Sequence, residues 1–160
     1  MNMIAIIPAR SGSKGLKDKN IKLLNGKPLI WYSVKAAIDS DCFDEVMVST
    51  DSEKYAEIAK ECGATVPFLR SEQQSSDTAS SWDVVKEVVE NFQKIERCFD
   101  TVCLLQPTSP LREAVDIIEA YDVYRLKNAD SIISVCEVEH SPMWCMVLPE
   151  DSSLMSFRKN

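Results

Sequence analysis

The chain has 160 residues, 45% hydrophobic and 27% charged, with 4 Gly and 7 Pro, which excludes collagen-like repeats, low-complexity linkers and a disordered chain. A chain of this size buries about 70% of the surface it exposes when unfolded, so one globular domain over residues 1–160 is expected. The 25 acidic residues outnumber the 18 basic ones, giving a net charge of −7; nucleic acid and anionic membrane are excluded as partners, and any bound anion must be caught by a local cluster. Met3–Ile7 is too short to span a membrane and lacks the basic leader of a signal peptide, so the expected location is cytoplasmic. The six cysteines, Cys42, Cys62, Cys98, Cys103, Cys136 and Cys145, form no CxxC pair and have only His140 to join them. Buried, reduced thiols are expected, not a zinc site.

Met3–Ile7 is an isoleucine-rich run stopped by Pro8, the pattern of a buried parallel strand. After a long polar loop, Leu29, Ile30, Val34, Ala37 and Ile38 repeat at helical spacing behind Pro28, which suits a first helical turn. Glu45–Ser49 is a second short strand. Thr50-Asp51-Ser52 can cap a helix carrying Tyr55, Ile58, Ala59 and Cys62 on one face, ended by Gly63. Thr65–Phe68 fits an edge strand, because Pro67 cannot donate to a central ladder. Trp82, Val85, Val88, Val89 and Phe92 share a helical face. Thr101–Leu105 is another apolar strand, Glu113–Lys127 a helix, and Asp130–Val135 a final strand. Alternation of this kind predicts an α/β fold, a mostly parallel sheet with helices on both faces and ligands outside the carboxyl ends of its strands.

The loops that follow strands therefore carry the information. Pro8–Asn20 holds Arg10, Lys14, Lys17 and Lys19 with Gly12 and Gly15, a local inversion of charge in an acidic chain. Glycines let backbone N–H groups turn toward an anion, an arginine grips two phosphate oxygens, and lysines supply point charges. A polyphosphate is the natural guest, and a solvated basic loop is the alternative. Neither GxxxxGK[ST] nor GxGxxG is present, which disfavours a P-loop kinase and a dinucleotide oxidoreductase.

Ile6-Ile7-Pro8-Ala9-Arg10-Ser11-Gly12-Ser13-Lys14-Gly15, with Lys19-Asn20 and Gly26-Lys27-Pro28-Leu29-Ile30, resembles the opening of the acylneuraminate cytidylyltransferases, the CMP-sialic acid synthetases. Val48-Ser49-Thr50-Asp51, Ser76–Ser81 and Leu104-Leu105-Gln106-Pro107-Thr108-Ser109-Pro110-Leu111-Arg112 follow in the family's order. The resemblance implies a Rossmann-like nucleotidyltransferase (GT-A-like) domain. It also implies transfer of a cytidylyl group from CTP to the anomeric hydroxyl of a nine-carbon α-keto acid sugar, N-acetylneuraminate or a related nonulosonate, with Mg2+ assistance and release of pyrophosphate.

By the same resemblance Arg10, Lys14 and Lys19 are the catalytic set, clamping the triphosphate and stabilising the leaving pyrophosphate. Ser11, Gly12 and Asn20 join them in binding nucleotide, Arg70, Ala79 and Ser81 recognise cytosine and ribose, and Gln106 contacts the acceptor sugar. Residue types alone also allow Ser80 or Ser81 to be a plain helix cap. Asp51 either caps a helix or orders the nucleotide loop, and Arg112 is a ligand or a structural residue. Asp51, Arg112 and His140, a weak candidate beside the sugar, stay outside the site. Where some sialate-specific members carry a basic residue after the proline matching Pro142, this chain has Trp144, which leaves legionaminate-like and other acceptors open. Family members continue beyond residue 160 into a dimer-forming extension and the aspartates that bind Mg2+, so no metal ligand is assigned here and a homodimer belongs to the longer form. The alternative is a truncated or degenerate homologue that binds CTP without turnover.

Overall fold

A computed structural model describes residues 2–12, 15–71 and 80–141. It comprises two compact units, residues 1–130 and 131–160. In the first, β1 (Met3–Pro8) lies at the centre of a parallel three-stranded sheet, flanked by β4 (Glu45–Ser49) and β5 (Thr101–Leu104). Ile4 pairs with Glu45 on one side and with Val102 on the other. Strand side chains alternate between faces, so an all-apolar β1 needs cover on both. Ala5 and Ile7 pack with Ile30 and Val34 of α1 (Leu29–Asp39), Tyr55 and Ala59 of α2 (Glu53–Glu61), and Ile117 of α4 (Ala114–Lys127). Ile4 and Ile6 pack with Val85, Val88 and Phe92 of α3 (Ser81–Lys94). Helices thus cover both faces, as the alternation predicts.

Local chemistry sets the boundaries. The Ser52 side chain accepts the Tyr55 N–H and starts α2. Gly63, at φ +97°, takes the left-handed conformation that follows its end. Phe92 is enclosed by edge-to-face contacts with Phe68 and Phe99, at centroid distances of 5.3 and 5.1 Å. The buried Glu45 carboxylate is paired with Arg97 at 2.8 Å, and that guanidinium also lies over the Phe92 and Phe99 rings.

Four features depart from expectation. Inside the long polar loop, β2 (Leu23–Leu24) and β3 (Lys27–Pro28) form a small antiparallel hairpin. Its turn is Asn25-Gly26, both at positive φ, the pair that two-residue hairpin turns require. Thr65–Phe68 contributes only one bridge, Thr65 against Met47, rather than a strand. The run Asp130–Val135 is not a strand: it has no ladder partner among the described residues, and Ile133 and Val135 are 81% and 90% exposed. An apolar run becomes a strand only where a sheet edge takes up its hydrogen bonds.

The cysteines also differ from a uniformly buried set. All those described are unbonded thiols, but Cys98 and Cys136 are exposed, and Cys42, Cys62 and Cys103 are half-buried; Cys145 lies outside the described residues. Burial pushes the Cys103 thiol up to about 11. The thiolate is the reactive form, so iodoacetamide at pH 8 is expected to alkylate Cys98 at least about tenfold faster than Cys103. Mass spectrometry of the labelled peptides measures the ratio, and equal rates would contradict the packing of β5.

Candidate functional site

The strands of the parallel sheet all end on one edge, and the candidate residues lie in the segments beyond it. The chain leaves β1 for β4 on one side and reaches β5 on the other, so the strand order reverses about β1, the position where open α/β sheets bind ligands. Around that edge lie the loop after β1, Asp51 after β4, Arg70, Gln106 after β5, and the N-terminus of α3.

The loop after β1 is tied down at three points. Asp51 takes the Ser11 backbone N–H on one carboxylate oxygen at 2.8 Å and the Ser11 hydroxyl on the other at 3.0 Å. The buried Asn20 side chain donates to the Arg10 carbonyl at 3.1 Å. The Tyr55 hydroxyl donates to Asp18 Oδ1 at 3.1 Å. Asp18 itself stands at φ +55° just before the single 3-10 turn Lys19–Ile21, and its carbonyl accepts the N–H groups of Ile21 and Lys22. Asp18 thereby sets the turn that presents Lys19. Burial, then Asp18 and Asp51, push the Tyr55 hydroxyl up to about 12, so it remains a donor throughout the neutral range.

Both donors of Ser11 are engaged by Asp51, which gives Ser11 a loop-shaping place. Ser52 caps α2, so Asp51 is the residue that orders the loop. Arg70 is buried, donating from Nε to Ser49 Oγ at 3.1 Å and from Nη2 to the Ser49 carbonyl at 2.7 Å. Burial and, less strongly, the positive charge of Arg10 lower its pKa, against the opposing pull of Asp51 and Glu87. Arg10 and the buried Arg70 thus lie near one another at the same edge of the sheet.

A second group surrounds β5. Gln106 donates from its side-chain amide to Ser81 Oγ at 3.1 Å. Its carbonyl accepts from Ser33 at 3.3 Å and from Arg112 Nη2 at 3.3 Å, and Arg112 Nη1 donates to Ser33 Oγ at 3.2 Å. Arg112 is therefore a brace for the Gln106 backbone. At the start of α3, Ser80 accepts the Asp83 N–H while the Asp83 carboxylate accepts the Ser80 N–H, a complete capping box. Ser80 does the capping, so Ser81 is left to face Gln106.

Arg10, Ser11, Gly12, Lys19, Asn20, Arg70, Ser81 and Gln106 are described, and all belong to the first unit, whereas Lys14 and Ala79 lie outside the described residues. So do Ser76–Thr78, Pro142 and Trp144. His140 is exposed and belongs to the second unit. Sequence reasoning missed Ser33 and the reach of Tyr55: one fully buried serine on an apolar helix face and one tyrosine among apolar partners were the available signals.

The described residues do not fit a protein-held Mg2+. No group of three His, Cys, Asp or Glu side chains is found among them. Both Asp51 oxygens accept from Ser11, and Asp18 accepts from Tyr55. Among the described residues no helix is long and apolar enough to cross a membrane.

A cytidylyltransferase family model matches residues 4–142. The CMP-N,N'-diacetyllegionaminic acid synthase of Legionella pneumophila is 41% identical over 155 residues, covering 97% of this chain and 66% of that protein. The N-acylneuraminate cytidylyltransferase of Streptococcus agalactiae serotype V is 42% identical over 153 residues, covering 94% of this chain and 36% of that protein. Among solved structures, CMP:2-keto-3-deoxy-manno-octonic acid synthetase complexed with CTP superposes with a TM-score of 0.66 at 26% identity, over 81% of this chain and 49% of the other. The chain thus spans just under two thirds of one of these relatives and about a third of the other.

Ser80→Ala removes the cap and is expected to lower the melting midpoint by about 3 °C. The Ser80 hydrogen bonds hold the Asp83 carboxyl below its ordinary value of 3.8. That contribution is present above 3.8 and lost as pH falls through the depressed value, so the melting difference between the two proteins is expected to shrink on acidification. A melting scan from pH 7 to pH 3 reads it.

Proposed function

The chain belongs to the cytidylyltransferase family, and from this premise we propose that it transfers the cytidylyl group of CTP to the anomeric hydroxyl of a nine-carbon α-keto acid sugar. The observation that carries the proposal is the cationic loop at the carboxyl end of β1, anchored through Asp51, Asn20 and Tyr55. N,N'-diacetyllegionaminate and N-acetylneuraminate are the acceptors to test, taken from the relatives' names.

In the proposed reaction the anomeric hydroxyl gives up its proton to water as its oxygen bonds to the α-phosphorus. The bond from that phosphorus to the bridging oxygen breaks, and pyrophosphate departs with the electron pair. Such transfers need little covalent help from the protein; positioning and charge neutralisation do most of the work. Arg10, Lys14 and Lys19 neutralise the triphosphate and the charge that grows on pyrophosphate. Gly12 allows close backbone approach, while Ser11 and Asn20 hold the loop's shape. Arg70, Ala79 and Ser81 form the nucleoside side of the site. The Gln106 amide, resting on Ser81 Oγ, stands between nucleoside and acceptor.

Pyrophosphate release from CTP with each acceptor, in buffer containing Mg2+, tests the reading. Arg10→Ala and Lys14→Ala are each expected to lower kcat/KM by about 100-fold, the scale of losing one charge-stabilising donor. Stabilisation by CTP with no pyrophosphate release in the presence of either acceptor would favour a nucleotide-binding protein without turnover. Unchanged CTP affinity in both variants would remove the loop from the site.

A further inference from the structure

Two side chains at the start of α2 reach opposite ends of the phosphate loop. Asp51 precedes the helix and holds Ser11 through both carboxylate oxygens, at 2.8 and 3.0 Å. Tyr55, in the first turn of α2, is 1% exposed and sends its hydroxyl to Asp18 at 3.1 Å. Ser11 adjoins Arg10, and Asp18 adjoins Lys19 and closes the 3-10 turn that presents it. Asp51 stands just before the Ser52 cap and Tyr55 lies in the first turn of α2, so the two grips are held at a fixed separation by that cap and by the packing of Ala56 and Ala59 in the core.

We propose that Asp51 and Tyr55 are positioning residues that use the start of α2 as a rigid template, holding Arg10 and Lys19 at the spacing a nucleoside triphosphate needs. The proposal rests on the CTP reading above. It also accounts for a carboxylate in a place meant for an anion. By charge alone Asp51 repels a triphosphate; it belongs there because a bidentate grip on Ser11 fixes the loop before the nucleotide arrives, which removes an ordering cost from binding. Tyr55 gives the same grip at the other end through a neutral hydroxyl, and its raised pKa keeps that proton in place at working pH.

The test compares CTP with CMP, which shares base, ribose and α-phosphate but leaves the far part of the loop without a ligand. Titration calorimetry on the 160-residue chain measures both. Tyr55→Phe removes one oxygen, changes no charge at neutral pH and keeps the buried ring. It is expected to weaken CTP by at least about threefold and to leave CMP within about twofold, the range of one hydrogen bond to a charged group. Asp18→Asn keeps an acceptor for the Tyr55 hydroxyl, suits a positive φ and removes one negative charge beside Lys19, so it is expected to bind CTP at least as tightly as the unaltered chain. Asp51→Ala sets charge against position: lost positioning weakens CTP, whereas loss of a repelling charge tightens it. Weaker CTP binding in Asp51→Ala and in Tyr55→Phe, with CMP spared, supports the proposal.

Tighter CTP binding in Asp51→Ala overturns it, as does an equal loss for both nucleotides in Tyr55→Phe, which marks a general structural role, or no loss for either. If the unaltered chain bound CTP no more tightly than CMP, the triphosphate reading of the loop would itself fail, and the template role with it.

Discussion

The arrangement depends on β1 having no polar face. Ile4, Ile6 and their neighbours Ala5 and Ile7 are all fully buried, so the strand must run through the middle of a layered domain with β4 and β5 as hydrogen-bonded neighbours and helices above and below. Parallel pairing sends each return connection over a face of the sheet and brings the strands' carboxyl ends to one edge. The functional candidates gather there because the core allows β1 no other place. With β4 on one side and β5 on the other, the loop after β1 emerges between the segments that carry Asp51 and Gln106.

A chain of net charge −7 then has to make an anion site locally. Arg10, Lys19 and the buried Arg70 supply the positive charge, and Asp51 and Asp18 hold the loop while tempering mutual repulsion among the cations. The Asp51 carboxylate accepts from Ser11 and the Asp18 carboxylate from Tyr55. Hydrogen bonds from these uncharged donors to the two carboxylates tie the loop at both ends. Around β5, Arg112 and Ser33 hold the Gln106 backbone, and the Gln106 amide is left to face Ser81.

Much of this was legible in the residues. β1, α1, β4, α2, α3, β5 and α4 lie close to their expected bounds; α1, α2 and α3 bury an apolar face, whereas α4 buries only Ile117 and leaves Val115, Ile118, Val123 and Leu126 exposed. The hairpin at Asn25-Gly26 carried its own turn signal, obscured by the polar residues around it. Asp130–Val135 could not be judged from its apolarity, since a strand exists only through a neighbour. The assignment between Ser80 and Ser81, and between Asp51 and Ser52, depends on which hydroxyl or carboxylate meets a helix N–H, a matter of one residue of register that composition does not carry. Tyr55 looked like an ordinary core aromatic; its hydroxyl matters because a loop 37 positions away in the chain folds back onto it.

The carboxyl edge around β1 is the proposed triphosphate site, formed before nucleotide binds. A crystal structure of the chain grown with CTP tests it most directly. The triphosphate is expected to lie along the loop between Arg10 and Lys19, with the nucleoside beside Ser81 and the Asp51–Ser11 and Tyr55–Asp18 hydrogen bonds unchanged. CTP bound away from this edge, or bound there with its triphosphate turned to solvent, would contradict it.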